Sequence, residues 1–411
     1  MAPSTSTGGL VTRYIELGLA LGRHIDGFVD AYYGPPALAA FAATAPMVGP
    51  DVLQRDVRSL LAALDAGEPL GSPMADAGQP VEGEDARRRR WLRAQTIGLL
   101  TSARILSGEA IGYADEVAAC YGVRPTRFPE EEILEAHKNL ESVVPGSGPL
   151  AERLIAWRES LAVPPELLRP AIASLAEDLR ARTYAAFGLP DGESVEFDLV
   201  TNKPWSGFNY YLGELTSKVA INTDLPVLSS SLAHLVAHEA YPGHHTEHTR
   251  KEVGLVRRRH FYEESIFLVG TPQCLLAEGL ADLGLEVVMG KRPEQLVAEH
   301  LVPLGIPYDA DVVAVVAEAG EALQAVRANA AFRLHEDGAS PEVVAKEIAH
   351  FGLLPPARAE KSIEFLMDPT WRSYISCYVE GLPLCRRFVD GRPERFERLI
   401  TEQLVPDDLQ A

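Results

Sequence analysis

Residues 194–226, SVEFDLVTNKPWSGFNYYLGELTSKVAINTDLP, are where the helical pattern of the chain breaks. Val195 to Val200 and Lys218 to Asn222 are β-branched or alternating runs bounded by glycine and proline, the signature of short strands. Most of the remaining sequence carries the i, i+3, i+4, i+7 apolar spacing of amphipathic helices. That spacing predicts helices near 9–29, 51–65, 85–107, 129–141, 256–269, 273–289, 310–336, 340–350 and 370–388. Another is opened by Pro164-Pro165 and carries Ile172, Leu175 and Leu179 on one face. The expected fold is mainly α, with a small β-sheet set just before a histidine-bearing helix. Ser229 to Ser231 offer N-caps for that helix, which runs through Leu232, Leu235 and Val236 and carries His234 and His238.

At 411 residues the chain can bury a large core. A glycine- and proline-rich loop or linker spans 66–85, and helical structure is expected to about residue 190. The expected organisation is therefore a helical N-terminal region, 1–190, and a metal-site region, 191–411, forming one compact unit. With 58 acidic against 38 basic residues the formal charge is −20, which disfavours nucleic acid and anionic membrane surfaces as partners. Four scattered cysteines without C-x-x-C spacing fit a reducing compartment, and the N-terminus has no signal-peptide pattern, so a cytoplasmic location is expected.

Directly after the predicted sheet stands HEAYPGHHTEH, residues 238–248, with four of the chain's 11 histidines. His-Glu-x-x-His on a regular helix places two imidazoles on one face with a glutamate beside the open metal position. His238-Glu239 begins that pattern, but Pro242 stands where the second histidine belongs. On an unbroken helix His244 would point about 120° away and His245 would sit roughly 10 Å further along. Pro242 removes a helical hydrogen bond, and with Gly243 beside it the helix can bulge or break. A two-residue bulge brings His244 to the metal with His238. His245 would need a larger distortion and is a second choice, as an alternative ligand or supporting group. His244, Glu247 and His248 also spell the inverted motif His-x-x-Glu-His on regular spacing. His234 is expected to support rather than ligate.

A third ligand is expected from another helix. In PQCLLAEGLADLGLEVVMG, residues 272–290, Glu278, Asp282 and Glu286 form the one acidic stripe on an otherwise apolar helix, and buried carboxylates require partners. Glu278 can ligate the ion, and Asp282 can accept a hydrogen bond from the far nitrogen of a ligand histidine. Glu286, two turns from Glu278, is expected to meet solvent or an arginine.

These residues carry a resemblance. His238-Glu239-Ala240-Tyr241-Pro242-Gly243-His244-His245, followed by Ala277-Glu278-Gly279, resembles the bacterial family classed as domain of unknown function 885. Its His-Glu-x-x-Pro-Gly-His-His motif is followed there by a Glu-Gly-Trp-Ala segment. The tryptophan is Leu280 here, and the resemblance covers roughly 195–390. Members resemble helical Glu-zincin metallopeptidases. The resemblance thus implies a large helical metallopeptidase-like fold, peptidase-like activity, His238, His244 and Glu278 as ligands, and Glu239 as the base.

Two imidazoles and a carboxylate suit zinc, and also manganese, cobalt or iron. The function expected is that of a zinc-dependent hydrolase, most simply a peptidase on short or unfolded peptides, with Glu239 as general base. Tyr374 and Tyr378, four apart on one helix face, are candidate oxyanion donors, as are His335 and Tyr210. The strand Val219 to Asn222 is a candidate edge for pairing with an extended peptide. Arg333 or Arg372 is a candidate for a terminal carboxylate. A metal-dependent amidohydrolase on a small amide, or a helical binding protein with a structural or degenerate metal site, is the alternative.

Overall fold

The computed structural model describes residues 9–72, 84–203 and 205–410. It is mainly α-helical, and most of the predicted linker, 73–83, lies outside the described residues. Among the described residues no helix is long and apolar enough to cross a membrane.

Among the described residues five strands form two small sheets. β1 (Val29–Tyr32) pairs antiparallel with β5 (Ile266–Leu268), joining an N-terminal segment to the second half of the chain. β2 (Ser194–Val200), β3 (Gly207–Gly213) and β4 (Thr216–Asn222) form the second sheet in the order β2-β4-β3. β4 pairs parallel with β2 and antiparallel with β3, so both its edges are used. Residues Val219 to Asn222 are thus central rather than an edge, and β3 is the edge strand nearer the histidines.

The segment 256–269, expected to be helical, instead closes a π-helical turn (Glu252–Arg257), passes through a 3-10 turn (Tyr262–Ser265) and enters β5. Ile266, Phe267 and Leu268 are all buried, and a short run buried on both faces serves a strand as well as a helix. Val29 likewise belongs to β1 rather than to the first helix, which is Leu10–Gly22.

Three apolar clusters surround these sheets. Tyr14, Leu60, Trp91 and Leu99 of the N-terminal helices pack on Ile266 and Leu268. Val219 and Ile221 of β4 pack with Leu232 and Val236 against Leu175 and Leu179. The largest cluster centres on the Pro272–Met289 helix, which is buried along most of its length and lies against the Ile375–Val389 helix. Their crossing is set by two glycines. A Cβ at Gly279 would lie 2.4 Å from the Gly381 carbonyl oxygen, and one at Gly381 would lie 2.7 Å from that of Leu275. Only hydrogen at both positions lets the two backbones touch.

Behind the β1–β5 pair lies a buried ionic group. Arg88 is bidentate to Glu263, Lys251 pairs with Glu247, and Gln273 donates to Glu264. Burial pushes the Glu264 carboxyl up to about 7, opposed by Lys251 and reinforced by Glu263 and Glu247. A raised folded-state pKa gives stability that is present below the unfolded value and lost as pH rises through about 7. Glu264→Gln should therefore melt above the wild type at pH 8 by an amount on the order of 3 kcal/mol, with the difference shrinking toward pH 4.5. Thermal unfolding at the two pH values checks this, and an equal gap at both would remove Glu264 as the source.

Candidate metal centre

The Ser229–Glu239 helix stops within one residue of the motif's glutamate, and a new helix, His244–Lys251, starts at the next histidine. The chain breaks and restarts here rather than bulging within one helix. Ala240 leaves helical geometry, the Tyr241–Pro242 bond is cis, and wide loops are closed by Gly243 N–H to Ala237 O (2.9 Å) and Thr246 N–H to Ala240 O (3.3 Å). Gly243 lies so close to the end of the first helix that a Cβ would stand 1.9 Å from the His238 carbonyl oxygen. This approach turns the start of the second helix back over the first. His238 Nε2 and His244 Nε2 end 3.1 Å apart.

Glu278 completes a triangle. Its Oε2 lies 3.4 Å from His238 Nε2, and its Oε1 lies 3.5 Å from His244 Nε2. Ligands about 2.0–2.1 Å from a tetrahedral ion are separated by about 3.3 Å, so these edges fit one zinc-sized cation. Two further observations match a cation there. Glu278 Oε2 is buried without a hydrogen-bond partner, whereas Tyr374 Oη donates to Oε1 at 2.7 Å. His238 Nδ1 meets Asp282 Oδ1 at 2.9 Å, and since a carboxylate only accepts, the neutral ring presents its Nε2 lone pair to the triangle.

The electrostatics agree. Burial opposes charge on His238, but Asp282 and Glu278 outweigh it and hold its pKa well above the usual range. Burial likewise pushes the Glu278 carboxyl up, and the two histidines overcome this and hold it far below the ordinary carboxylate range. A pocket that favours a proton in this way also favours a metal cation. Asp282→Asn removes the acceptor that fixes the His238 tautomer and should weaken zinc binding by about 10–100-fold. Titration against a chelator of known affinity measures it, and unchanged affinity would detach Asp282 from the site.

Glu239 stands at the end of the first helix with a buried carboxyl that accepts no hydrogen bond among the described residues. Burial raises its pKa, opposed by His238 and His244. Asn209 of β3 donates to the Glu239 carbonyl, and a Cβ at Gly207 would come 3.1 Å from Glu239 Oε1, so bare strand backbone faces this carboxylate.

Other predicted residues lie elsewhere. His245 is fully buried with both nitrogens engaged, Nδ1 by Ser217 Oγ and Nε2 by Glu193 Oε2, each at 2.8 Å. His248 stacks on Tyr211 with ring centroids 4.7 Å apart, outside the triangle, and Glu247 pairs with Lys251. The inverted motif therefore does not assemble. His234 Nε2 lies 3.5 Å from Asp282 Oδ1 at the exposed rim and forms a second, overlapping donor set with His238 and Asp282. Glu286 pairs with Arg386. Leu280 is fully buried.

Among the oxyanion candidates, Tyr374 is occupied by Glu278, His335 Nε2 by the Leu366 carbonyl, and Tyr210 lies in an aromatic group with Trp205 and Phe208. Tyr378 stacks edge-on to Tyr374 with centroids 5.5 Å apart. Its hydroxyl has no hydrogen bond among the described residues, and burial, with the charges of Glu278 and Asp282, keeps it protonated. Both proposed carboxylate-binding arginines are already neutralised, Arg333 by Glu347 and Asp337, and Arg372 by Glu116.

Asp30 of β1 joins the group around the triangle. Burial raises its pKa to about 7, with His244 opposing and Glu278 and Glu239 reinforcing, so it belongs to the same electrostatic cluster. Nothing in Val29-Asp30-Ala31-Tyr32 marks it, because its neighbours come from residues some 200 positions away. Asn209 and Glu193 are hidden over shorter spans, since their partners Glu239 and His245 come from the helices that follow the sheet.

No family model and no curated protein matches the chain. Among solved structures it is similar to "the putative lipoprotein from Colwellia psychrerythraea", at 15% identity and TM-score 0.54, covering 87% of this chain. The chain spans 65% of that protein's length. A second likeness is to "a putative lipoprotein of unknown function from Shewanella oneidensis", at 12% identity and TM-score 0.48, covering 97% of this chain and 81% of the other. At such identities the first likeness shows the fold alone.

Proposed function

We propose that this protein is a zinc-dependent hydrolase of amide bonds, with His238, His244 and Glu278 as metal ligands. The observation carrying this reading is the triangle of three donors 3.1–3.5 Å apart with a buried carboxylate, Glu239, directly beside it. When bound, the cation supplies a Lewis acid that polarises a carbonyl and acidifies an attacking water. Glu239 accepts the water's proton and returns it to the leaving nitrogen. Tyr378 donates to the developing oxyanion, while Tyr374 and Asp282 hold Glu278 and His238 in place. An ion of manganese, cobalt or iron would meet the same donors.

A peptidase on short or unfolded peptides is favoured over an amidohydrolase on small amides by one feature. β3 is an edge strand whose first residues adjoin Glu239, so an extended peptide can pair with it beside the base. The charge of −20 argues against nucleic acid and anionic membranes as partners. The four free, buried cysteines support a reducing, cytoplasmic location, which cell fractionation tests.

The deciding experiment measures metal content by mass spectrometry, then cleavage of a peptide library with Glu239→Gln as the blank. Zinc at one per chain with cleavage that the variant lacks supports the peptidase. Turnover of small amides alone turns the reading to an amidohydrolase. A protein that holds zinc without hydrolysing either is a binding protein.

A further inference from the structure

The Ser229–Glu239 and Pro272–Met289 helices meet through two histidine–carboxylate pairs rather than one. His234 and His238 stand four apart on the first helix, and Glu278 and Asp282 four apart on the second, so each helix presents its two side chains on one face, a turn apart. His238 faces Glu278 at 3.4 Å, and His234 faces Asp282 at 3.5 Å. One turn back along the first helix and one turn forward along the second therefore lead from the metal triangle to a second set of donors.

That second set has the spacing of metal ligands. His234, His238 and Asp282 each offer a donor atom, and these atoms all lie within 4.8 Å of one another. The 3.5 Å between His234 Nε2 and Asp282 Oδ1 is longer than an ordinary N–H···O bond, and it suits two donors that share one ion with bonds near 2 Å. The His234 side chain is 49% exposed and that of Asp282 only 8%, so the set is anchored in the protein on one side and open to solvent on the other. Water can complete the shell of an ion held there.

Asp282 links the two sets. Its Oδ1 accepts the Nδ1–H of His238 at 2.9 Å, and the same oxygen faces His234. A cation drawn to that carboxylate competes with the imidazole for its lone pairs. His238 then loses the partner that fixes its tautomer and orientation for the triangle. Two like charges on opposite sides of one imidazole also repel, so the outer ion binds more weakly once the triangle is filled.

We propose that His234 and Asp282, bordered by His238 Nδ1, form a second and weaker zinc site at the rim of the metal centre, whose filling loosens His238 and inhibits hydrolysis. The inhibition rests on the hydrolase reading, whereas the binding does not. Imidazole and carboxylate together suit zinc or a neighbouring transition metal rather than magnesium or calcium, which take oxygen donors.

The test titrates zinc by calorimetry into untagged, metal-free protein and into His234→Ala. The wild type should take up two zinc ions per chain, the second at least about tenfold more weakly than the first. His234→Ala should take up one, with the affinity of the first site unchanged. It should also melt with the wild type, because the side chain it shortens is half exposed. Hydrolysis followed over the same zinc range should rise to one equivalent and then fall by about 10–100-fold in the wild type, as loss of a ligand's hydrogen-bond partner does. In His234→Ala it should hold its plateau. One ion in both proteins, or two in both, overturns the rim site. A His234→Ala protein that loses the first ion overturns it as well, since the two donor sets would then act as one. Two ions in the wild type and one in the variant, with a rate that excess zinc does not lower, overturns the inhibition. The same stoichiometries with no hydrolysis by either protein leave the rim site standing and sink the hydrolase reading instead.

Discussion

Glu239→Gln is expected to lower hydrolysis by on the order of 10²–10⁴-fold while leaving one zinc bound per chain. The two outcomes separate because Glu239 lies beside the donor triangle without being part of it, and an amide of the same shape can neither take the water's proton nor return it. Glutamine also keeps the backbone contact from Asn209, which reaches the Glu239 carbonyl rather than its side chain. The pH profile gives an independent reading. Burial raises the Glu239 carboxyl, with His238 and His244 opposing. A base acts only when ionised, so activity should fall as pH drops through that raised value, giving an acid limb above the ordinary carboxylate range. A bound cation pulls the limb back toward that range. Steady-state kinetics from pH 4 to 9 with metal analysis of both proteins provide the check. A variant that keeps its rate, or one that loses zinc, would remove Glu239 from the role of base.

What could be seen in the sequence follows the range of the interactions involved. His238, Glu239 and Glu278 announce themselves locally, the first two by adjacency and the third as part of an acidic stripe on an apolar helix. The mainly helical fold is legible for the same reason, because periodicity is a property of ten or fifteen neighbouring residues. Which histidine joins His238 was not settled by spacing. It depends on how the chain turns between Ala240 and His244, and His245 and His248 sit one and four residues further along the same helix. The structure turns them into the protein, His245 onto Ser217 and Glu193 and His248 onto Tyr211. Strand order was equally hidden, since Lys218 to Asn222 reads as a strand whether it is central or at an edge. The helix predicted over 256–269 failed because the partner that makes Ile266 to Leu268 a strand is Val29 to Tyr32, far away in sequence. Asp30 shares that origin, as its chemistry exists only once distant strands and helices meet.

Gly243→Ala should abolish zinc binding at micromolar metal and destabilise the fold by several kcal/mol, although residue 243 touches no ion. The added Cβ would stand 1.9 Å from the His238 carbonyl oxygen and 2.6 Å from that of Ala237, both backbone atoms at the end of a packed helix. No rotamer change relieves such an overlap, so either the loop or the helix end must move. The Ser229–Glu239 helix is fixed by Leu232 and Val236 in the core behind β4, which leaves the loop to give way. Its movement carries His244, the next residue, off the 3.1 Å approach to His238, and a displacement of 1–2 Å already exceeds what bond lengths near 2 Å allow. His244→Ala is the matched control, since it deletes the imidazole without disturbing the turn. It should lose zinc affinity while melting close to the metal-free wild type. Calorimetric zinc titration and thermal unfolding of both variants in chelator distinguish the two effects. A Gly243→Ala protein that binds zinc normally would show that the turn does not set the ligand geometry, and the assignment of His244 as the partner of His238 would fall with it.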